Sequence, residues 1–375
     1  MAERRFDRPR LAVVKVGSSS LRGPDGRLDR DQIRVVVDGI AAARASATDV
    51  VLVSSGAVAA GLVLLAFDQR PTDMAKLQSA ASVGQGALIH AYQRDFARHG
   101  LVCGQVLLTQ DDFVSRRRYL NARKTFRMLL DLGAVPVVNE NDVVATDELA
   151  YGDNDHLAAL VASMLEADLL LLLSDVGGLY EVDPRQTPDA NLVDRVDDLD
   201  RLAQLRIGGT GSFVGSGGMR SKVEAARVAV LSACHAVVAD ARRPAVIPDV
   251  LAGEPIGTWF VAQPKRLEAR RLWIGFALNT RGRVHVDAGA ARALVRRGTS
   301  LLAVGVTGAD GDFTSGDAVA IVDPTGTLIA RGLVNYDASD LRRIAGRTTE
   351  DAAAAFGDAY GREVVHRDDL VVLVS

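Results

Sequence analysis

The chain has 375 residues, more than one ordinary domain of about 100 to 200 needs, so two domains are expected. Hydrophobic residues make up 48% and charged residues 24%, ordinary globular usage, and no apolar run reaches the roughly 18 residues that a membrane-spanning helix requires. With 44 basic against 47 acidic residues the net charge is −3, which supplies no general pull toward nucleic acid and points to a small partner.

The opening segment, Met1 to Arg10, is too polar for a secretory signal, and a cytoplasmic enzyme is expected. From Leu11 to about Ala262, short Val- and Leu-rich runs alternate with longer Ala-rich stretches. The strand candidates are Leu11 to Val16, Val50 to Val53, Gln105 to Leu108, Val135 to Val138, Leu169 to Leu173 and Ala236 to Ala239. Each is continuously apolar rather than alternating, as suits strands covered on both faces. The intervening helices are expected at Asp31 to Arg44, Lys76 to Arg98, Asn121 to Leu132, His156 to Glu166 and Arg220 to Ser232. This order predicts an α/β fold, a three-layer α/β/α sandwich with a mostly parallel sheet, over residues 1–262.

The rhythm then changes. After a linker at 263–280, shorter strands broken by Gly, Asp and Pro are expected at Gly282 to Val286, Leu301 to Val306, Ala318 to Val322 and Thr327 to Leu333. Short helices at Ala288 to Arg296 and Ser339 to Ile344 interrupt them, giving a small β-rich domain over 281–375. No internal repeat of solenoid or propeller length is evident. The two cysteines, Cys103 and Cys234, lack disulfide-framework or zinc-ligand spacing and read as small buried hydrophobes.

Ligands of an open parallel sheet bind beyond the carboxyl ends of its strands. Only five of the basic residues are lysines, and one of them, Lys15, ends the first strand beside the small-residue loop Gly17 to Ser20. The second strand runs into Ser54-Ser55-Gly56-Ala57, a loop of small donors opening a helix. The fourth runs into Asn139-Glu140-Asn141-Asp142, followed by Gly152-Asp153-Asn154-Asp155 before an apolar helix. Asn154 and Asp155 could be helix caps, but two polar clusters in one region favour ligand contact. His156 reads as structural, because no nucleophile elbow accompanies it. After the leucine strand comes Ser174-Asp175-Val176-Gly177-Gly178, a turn that could touch a nucleotide or simply cap. The last cluster is Ile207 to Gly218, with six glycines in twelve residues, leading to Met219-Arg220-Ser221-Lys222. It is either a loose linker or a mobile cover over phosphates, and a rare lysine at a helix start, against the dipole, favours the second and requires an anionic companion for Lys222.

Neither GxxxxGK(S/T) nor a strand-following GxGxxG occurs. Two lysines from opposite ends of the domain are instead the candidates for neutralising a transferred phosphoryl group, for which lysine is a compact, mobile charge. A carboxylate acceptor is already ionised at neutral pH and needs no general base, which accounts for the lack of an obvious catalytic histidine.

Together these segments resemble the amino-acid kinase superfamily, and more closely its glutamate-phosphorylating branch. The likeness runs through VVKVGSSS, VSSGAVAAG, ASVGQG, LLTQDDF, NENDVVATDEL, GDNDHLAALVA, LLLLLSDVGGLY and GTGSFVGSGGMRSK, with a C-terminal part similar to a PUA domain. The resemblance implies ATP-dependent phosphorylation of the γ-carboxylate of L-glutamate to L-glutamyl 5-phosphate, the first step of proline biosynthesis. It implies that Lys15 and Lys222 neutralise the phosphates, with Asp155 orienting them. Ser55, Asp142 and Asn154 would hold glutamate, and Lys15, Ser174, Asp175, Ser216, Gly217, Gly218, Met219 and Lys222 would contact ATP. Ser54 and Ser174 stand where threonine is common in the family, and both keep a hydroxyl. Magnesium bridging the phosphates is expected, with its protein ligands unassigned. Proline as feedback inhibitor and a homodimer or homotetramer are implied in the same way.

Two other readings stay open from the residues. One is a kinase of another small carboxylate or phosphate acceptor, such as N-acetylglutamate, aspartate or UMP. The other is an RNA-binding sensor with a kinase-like domain. Against the latter, residues 265–375 hold 15 basic and 14 acidic residues, without the basic footprint of an RNA module, so RNA binding by the C-terminal domain is not expected. The arginine clusters at 116–118, 296–297 and 342–343 read as solvated faces.

Overall fold

A computed structural model describes residues 5–23, 26–144, 154–182, 184, 187, 189–197 and 217–373. The chain divides into two compact units, Met1–Arg266 and Leu267–Ser375.

The first unit is built on an eight-stranded sheet in the order β3-β4-β2-β1-β5-β7-β8-β6. Its strands are β1 (Leu11–Val16), β2 (Asp49–Ser54), β3 (Cys103–Leu108), β4 (Val135–Glu140), β5 (Leu169–Ser174), β6 (Arg195–Val196), β7 (His235–Asp240) and β8 (Thr258–Phe260). All six strands expected from the apolar runs are present, extended by one or two residues at some ends. Their pairings β1–β2, β1–β5, β2–β4, β3–β4 and β5–β7 are all parallel, while β8 runs antiparallel to β7 and carries β6 parallel to itself at the sheet edge. The short strands β6 and β8 were not anticipated, because two or three residues carry no periodicity for a pattern to show.

Helices cover both faces. On one, Ala12, Val14 and Val16 of β1 share a core with Ile33, Val36, Val37 and Ile40 of α1 (Arg30–Ala45) and with Leu88, Tyr92 and Phe96 further along the chain. Asp29 opens α1, its carboxylate accepting from the Asp31 and Gln32 amides. The alternate β1 residues, including Lys15, therefore face the opposite layer, where the helix Asn154–Leu165 is buried at every position from 154 to 165 except His156.

Two helices follow β2. The short α2 (Ala57–Leu64) and the long α3 (Met74–Ala97) cross at backbone contact. A Cβ added at Gly61 would lie 1.7 Å from the Ala80 carbonyl oxygen, and one at Gly84 would lie 1.8 Å from that of Ala57 and 2.4 Å from the Gly61 nitrogen. Glycine is thus what lets the ASVGQG segment of α3 lock the start of α2 in place.

The second unit carries a five-stranded sheet, order β10-β9-β11-β12-β13, from β9 (Gly282–Val286), β10 (Val306–Gly311), β11 (Ala318–Val322), β12 (Leu328–Leu333) and β13 (Leu370–Val372). The expected strand Leu301 to Val306 is not formed. Leu301 makes one bridge to Val365, Ala303–Gly305 form a 3-10 turn, and the strand begins at Val306. Its apolar run misleads because Leu302 and Val304 are exposed rather than covered. The stretch 263–280, expected to be a linker, holds a helical turn at Ala269–Leu272 and a π-helical segment at Trp273–Ala277, in which Ile274 and Phe276 are buried. Four successive buried residues, Ile274 to Ala277, and the Arg331 bond to the Gly275 carbonyl tie it into the second unit.

Candidate active site

The polar residues of the first unit gather where its central parallel strands end. Lys15 sits one residue before the end of β1, in register with Val53 of β2 and Leu172 of β5. Ser55 follows β2, Asn139 and Glu140 close β4, and Ser174 closes β5. A cleft of about 690 Å³ opens there, a size suited to a nucleotide or a small metabolite.

Within it, two buried lysines share one buried carboxylate. Asp155 is fully buried in the first turn of the helix Asn154–Leu165, the end where a helix favours negative charge. Its Oδ1 lies 2.5 Å from Lys15 Nζ, and its Oδ2 lies 3.0 Å from Lys222 Nζ. Lys222 enters from the first turns of the helix Gly217–Leu231, where the dipole opposes a cation, and also donates weakly to the Gly218 carbonyl at 3.5 Å. Asp155 is therefore the anionic companion that Lys222 required. An anionic group in the cleft could meet both ammonium groups.

Beside this cluster lies a net of neutral groups. Asn154 donates from Nδ2 to the Ser54 carbonyl at 3.1 Å, to Ser55 Oγ at 2.9 Å and to Asn139 Oδ1 at 2.8 Å. The Ser54 hydroxyl in turn pairs with the buried Tyr92 hydroxyl at 2.9 Å. Helix α2 begins at Gly56, whose φ of 107° only glycine adopts freely, and no side chain caps it. The first turn of α2 lines the cleft with its amides uncapped, the arrangement that suits an anionic oxygen.

Asp142 lies on the same cleft, half-buried. That burial pushes its carboxyl above the ordinary aspartate range, with the Arg70 charge acting in the opposite direction. Ser174 Oγ donates to Asp175 Oδ1 at 3.3 Å.

Of the residues singled out in the sequence, Lys15, Ser55, Asp142, Asn154, Ser174, Asp175, Gly218, Met219 and Lys222 line the cleft, and Asp155 lies beneath its lysines. Gly217 starts the helix that carries Lys222, and Ser216 lies outside the described residues. His156 is half-buried and is not among the cleft-lining residues. Sequence reasoning passed over Arg22, Arg70 and Asn139, which also line the site. Asn139 stood inside a motif already noticed. The arginines had no signal, since arginine supplies nearly all of this chain's basic charge.

Comparison with known proteins agrees with this geometry. Residues 10–240 match the amino acid kinase family, and residues 282–355 match the PUA domain. The chain is 51% identical to the glutamate 5-kinase of Salinispora arenicola (strain CNS-205), over 97% of this chain and 98% of that protein. It is 50% identical to the glutamate 5-kinase of Streptomyces coelicolor, over 97% and 96% of the two chains. Among solved structures, the carbamate kinase from Giardia lamblia bound to AMP-PNP covers 68% of this chain and 98% of its own at a TM-score of 0.51, sharing the fold at 16% identity. With its α/β sheet, its converging strand ends and relatives of this similarity along nearly its whole length, the chain belongs to the amino acid kinase family and carries a C-terminal PUA domain.

Proposed function

We propose that the protein transfers the γ-phosphoryl group of ATP to the γ-carboxylate of L-glutamate, giving L-glutamyl 5-phosphate and ADP, the first step of proline biosynthesis. The observation that carries this reading is the pair of ammonium groups held on Asp155 in a cleft that also offers uncapped helix amides and the Ser55, Asn154 and Asp142 side chains. Relatives that bear the name glutamate 5-kinase at about half identity support the choice of acceptor.

In this reading a γ-carboxylate oxygen of glutamate attacks the γ-phosphorus. The new O–P bond forms as the bond to the β,γ-bridging oxygen breaks, and the electron pair leaves with ADP. No proton has to move, so the site needs charge neutralisation and alignment rather than a base. Lys15 and Lys222 meet the spreading phosphoryl charge, and Asp155 holds both so that they need not reorganise. Ser174, Asp175 and the segment 216–219 contact the nucleotide, while Ser55, Asn154 and Asp142 hold glutamate, the carboxylate of Asp142 facing its ammonium. Magnesium entering with ATP would add to the charge neutralisation that Lys15 and Lys222 supply. Proline inhibition, a homodimer or homotetramer and a cytoplasmic setting belong to the same reading through the family likeness.

Hydroxylamine trapping tests the acceptor. Acyl hydroxamate should form with ATP and free L-glutamate and be far weaker with N-acetylglutamate or aspartate. Hydroxamate from either of those and none from glutamate would overturn the assignment.

Asp142 supplies a second test. Its carboxyl is raised in the fold, so its neutral form is favoured and the ionised form present at neutral pH costs stability. Asp142→Asn is therefore expected to melt no lower than the wild type at pH 7 while glutamate KM rises about tenfold or more, the scale for losing a charged partner. In the wild type, glutamate KM should climb on acidification at a pH above that of an ordinary aspartate. A variant whose ATP KM alone changes would misplace the substrate.

A further inference from the structure

The amides beside the cleft form a chain whose direction one main-chain atom dictates. The Ser54 carbonyl can only accept, so the Asn154 group 3.1 Å away must be its NH₂, and Asn154 Oδ1 points away from it. That NH₂ also meets Asn139 at 2.8 Å, which makes the facing Asn139 atom its carbonyl oxygen. The Asn139 NH₂ then needs an acceptor, and Gln85 Oε1 stands 2.7 Å from it. Asn139 is buried, so without that acceptor its NH₂ is left unpaired and only the Asn154 NH₂ keeps its amide from turning over. Turned over, it would present donors to the donors of Asn154.

Gln85 is half-buried and is not one of the cleft-lining residues. It belongs to α3 and follows Gly84, the residue whose backbone rests on Ala57 and Gly61. Helix α3 therefore cannot shift along α2 without a clash, which fixes the place of Gln85 beside the start of α2.

From this chain of bonds we infer that Gln85 is a positioning residue for the acceptor substrate. Its Oε1 holds Asn139, and Asn139 together with the Ser54 carbonyl keeps the Asn154 NH₂ in place, so that Asn154 offers an acceptor, Oδ1, to the substrate's ammonium group. The inference rests on glutamate being the acceptor. It assigns Gln85 no contact with ATP, so its effect belongs to one substrate only.

The test is steady-state kinetics of the full chain carrying Gln85→Leu, Gln85→Glu or Gln85→Lys, with each substrate varied in turn. Leucine has no acceptor and lysine has only donors, whereas glutamate offers an acceptor oxygen in either orientation. Gln85→Leu and Gln85→Lys should each raise glutamate KM roughly five- to tenfold, the scale of one hydrogen bond, with kcat and ATP KM within about twofold of wild type. Gln85→Glu should restore glutamate KM. If one of the first two variants does not fold, the other carries the measurement. An unchanged glutamate KM in both, an equal rise in both substrates' KM, or a Gln85→Glu no better than Gln85→Leu overturns the inference. Failure of the wild type to use glutamate would overturn the proposed function and this inference together, so the two failures are told apart by the wild-type control.

Discussion

Asp155→Asn is expected to cost about 3 to 5 kcal/mol of stability, the range for removing one partner of a buried charge group. The side chain is fully buried and pairs at 2.5 Å with Lys15 and at 3.0 Å with Lys222. Asparagine keeps the size but removes the carboxylate charge that pairs with both ammonium groups. Each lysine would then have to find water or lose its proton. A polyanion can supply the missing charge, so a non-hydrolysable ATP analogue should raise the melting temperature of the variant by more than it raises that of the wild type. Turnover should fall by roughly 10²-fold or more, because lysines no longer held in place must reorganise during transfer. ATP KM should not rise, since the variant cleft is more positive. Thermal melts with and without the analogue, together with kcat, check this. Equal stabilisation by the analogue in both proteins, or a full kcat, would remove Asp155 from the role of orienting the lysines.

Lys222→Ala should behave differently, although it breaks the same cluster. It leaves Asp155 paired with Lys15, so the buried carboxylate keeps a cation and the fold should persist. The loss appears in the chemistry: kcat should fall roughly 10²- to 10³-fold, the scale for one transition-state donor, with glutamate KM changed little. Lys222→Arg should recover little of it, because a planar fork cannot place a point charge where Nζ sits 3.0 Å from Asp155. Far-ultraviolet circular dichroism and a melt separate folding from catalysis, and an intact kcat would take Lys222 out of the mechanism.

These two variants differ because charge compensation is a property of the assembled site. In one dimension Asp155 is one acidic residue before an apolar helix, equally readable as a cap. Lys222 is separated from it by 67 positions. The glycine-rich approach and the scarcity of lysine marked Lys222 as in need of an anion, without saying which. The carboxylate was identified only when the helix Asn154–Leu165, lying over β1 and β5, packed beside the helix Gly217–Leu231, lying over β5 and β7.

The chain's local patterns were enough to establish the layered α/β architecture, six of the eight strands of the large sheet and the loops that follow them. Continuous apolar runs bounded by small polar residues are short-range signals, and the burial of both strand faces demands them. What folding alone decided was convergence: the strand order that seats Lys15 between β2 and β5, the backbone contact of Gly61 and Gly84, the Gln85–Asn139–Asn154 chain, and Arg22 and Arg70 at the cleft. Side chains far apart in the chain meet through strand order and helix packing, which are collective properties of the core, and no local run of residues records them.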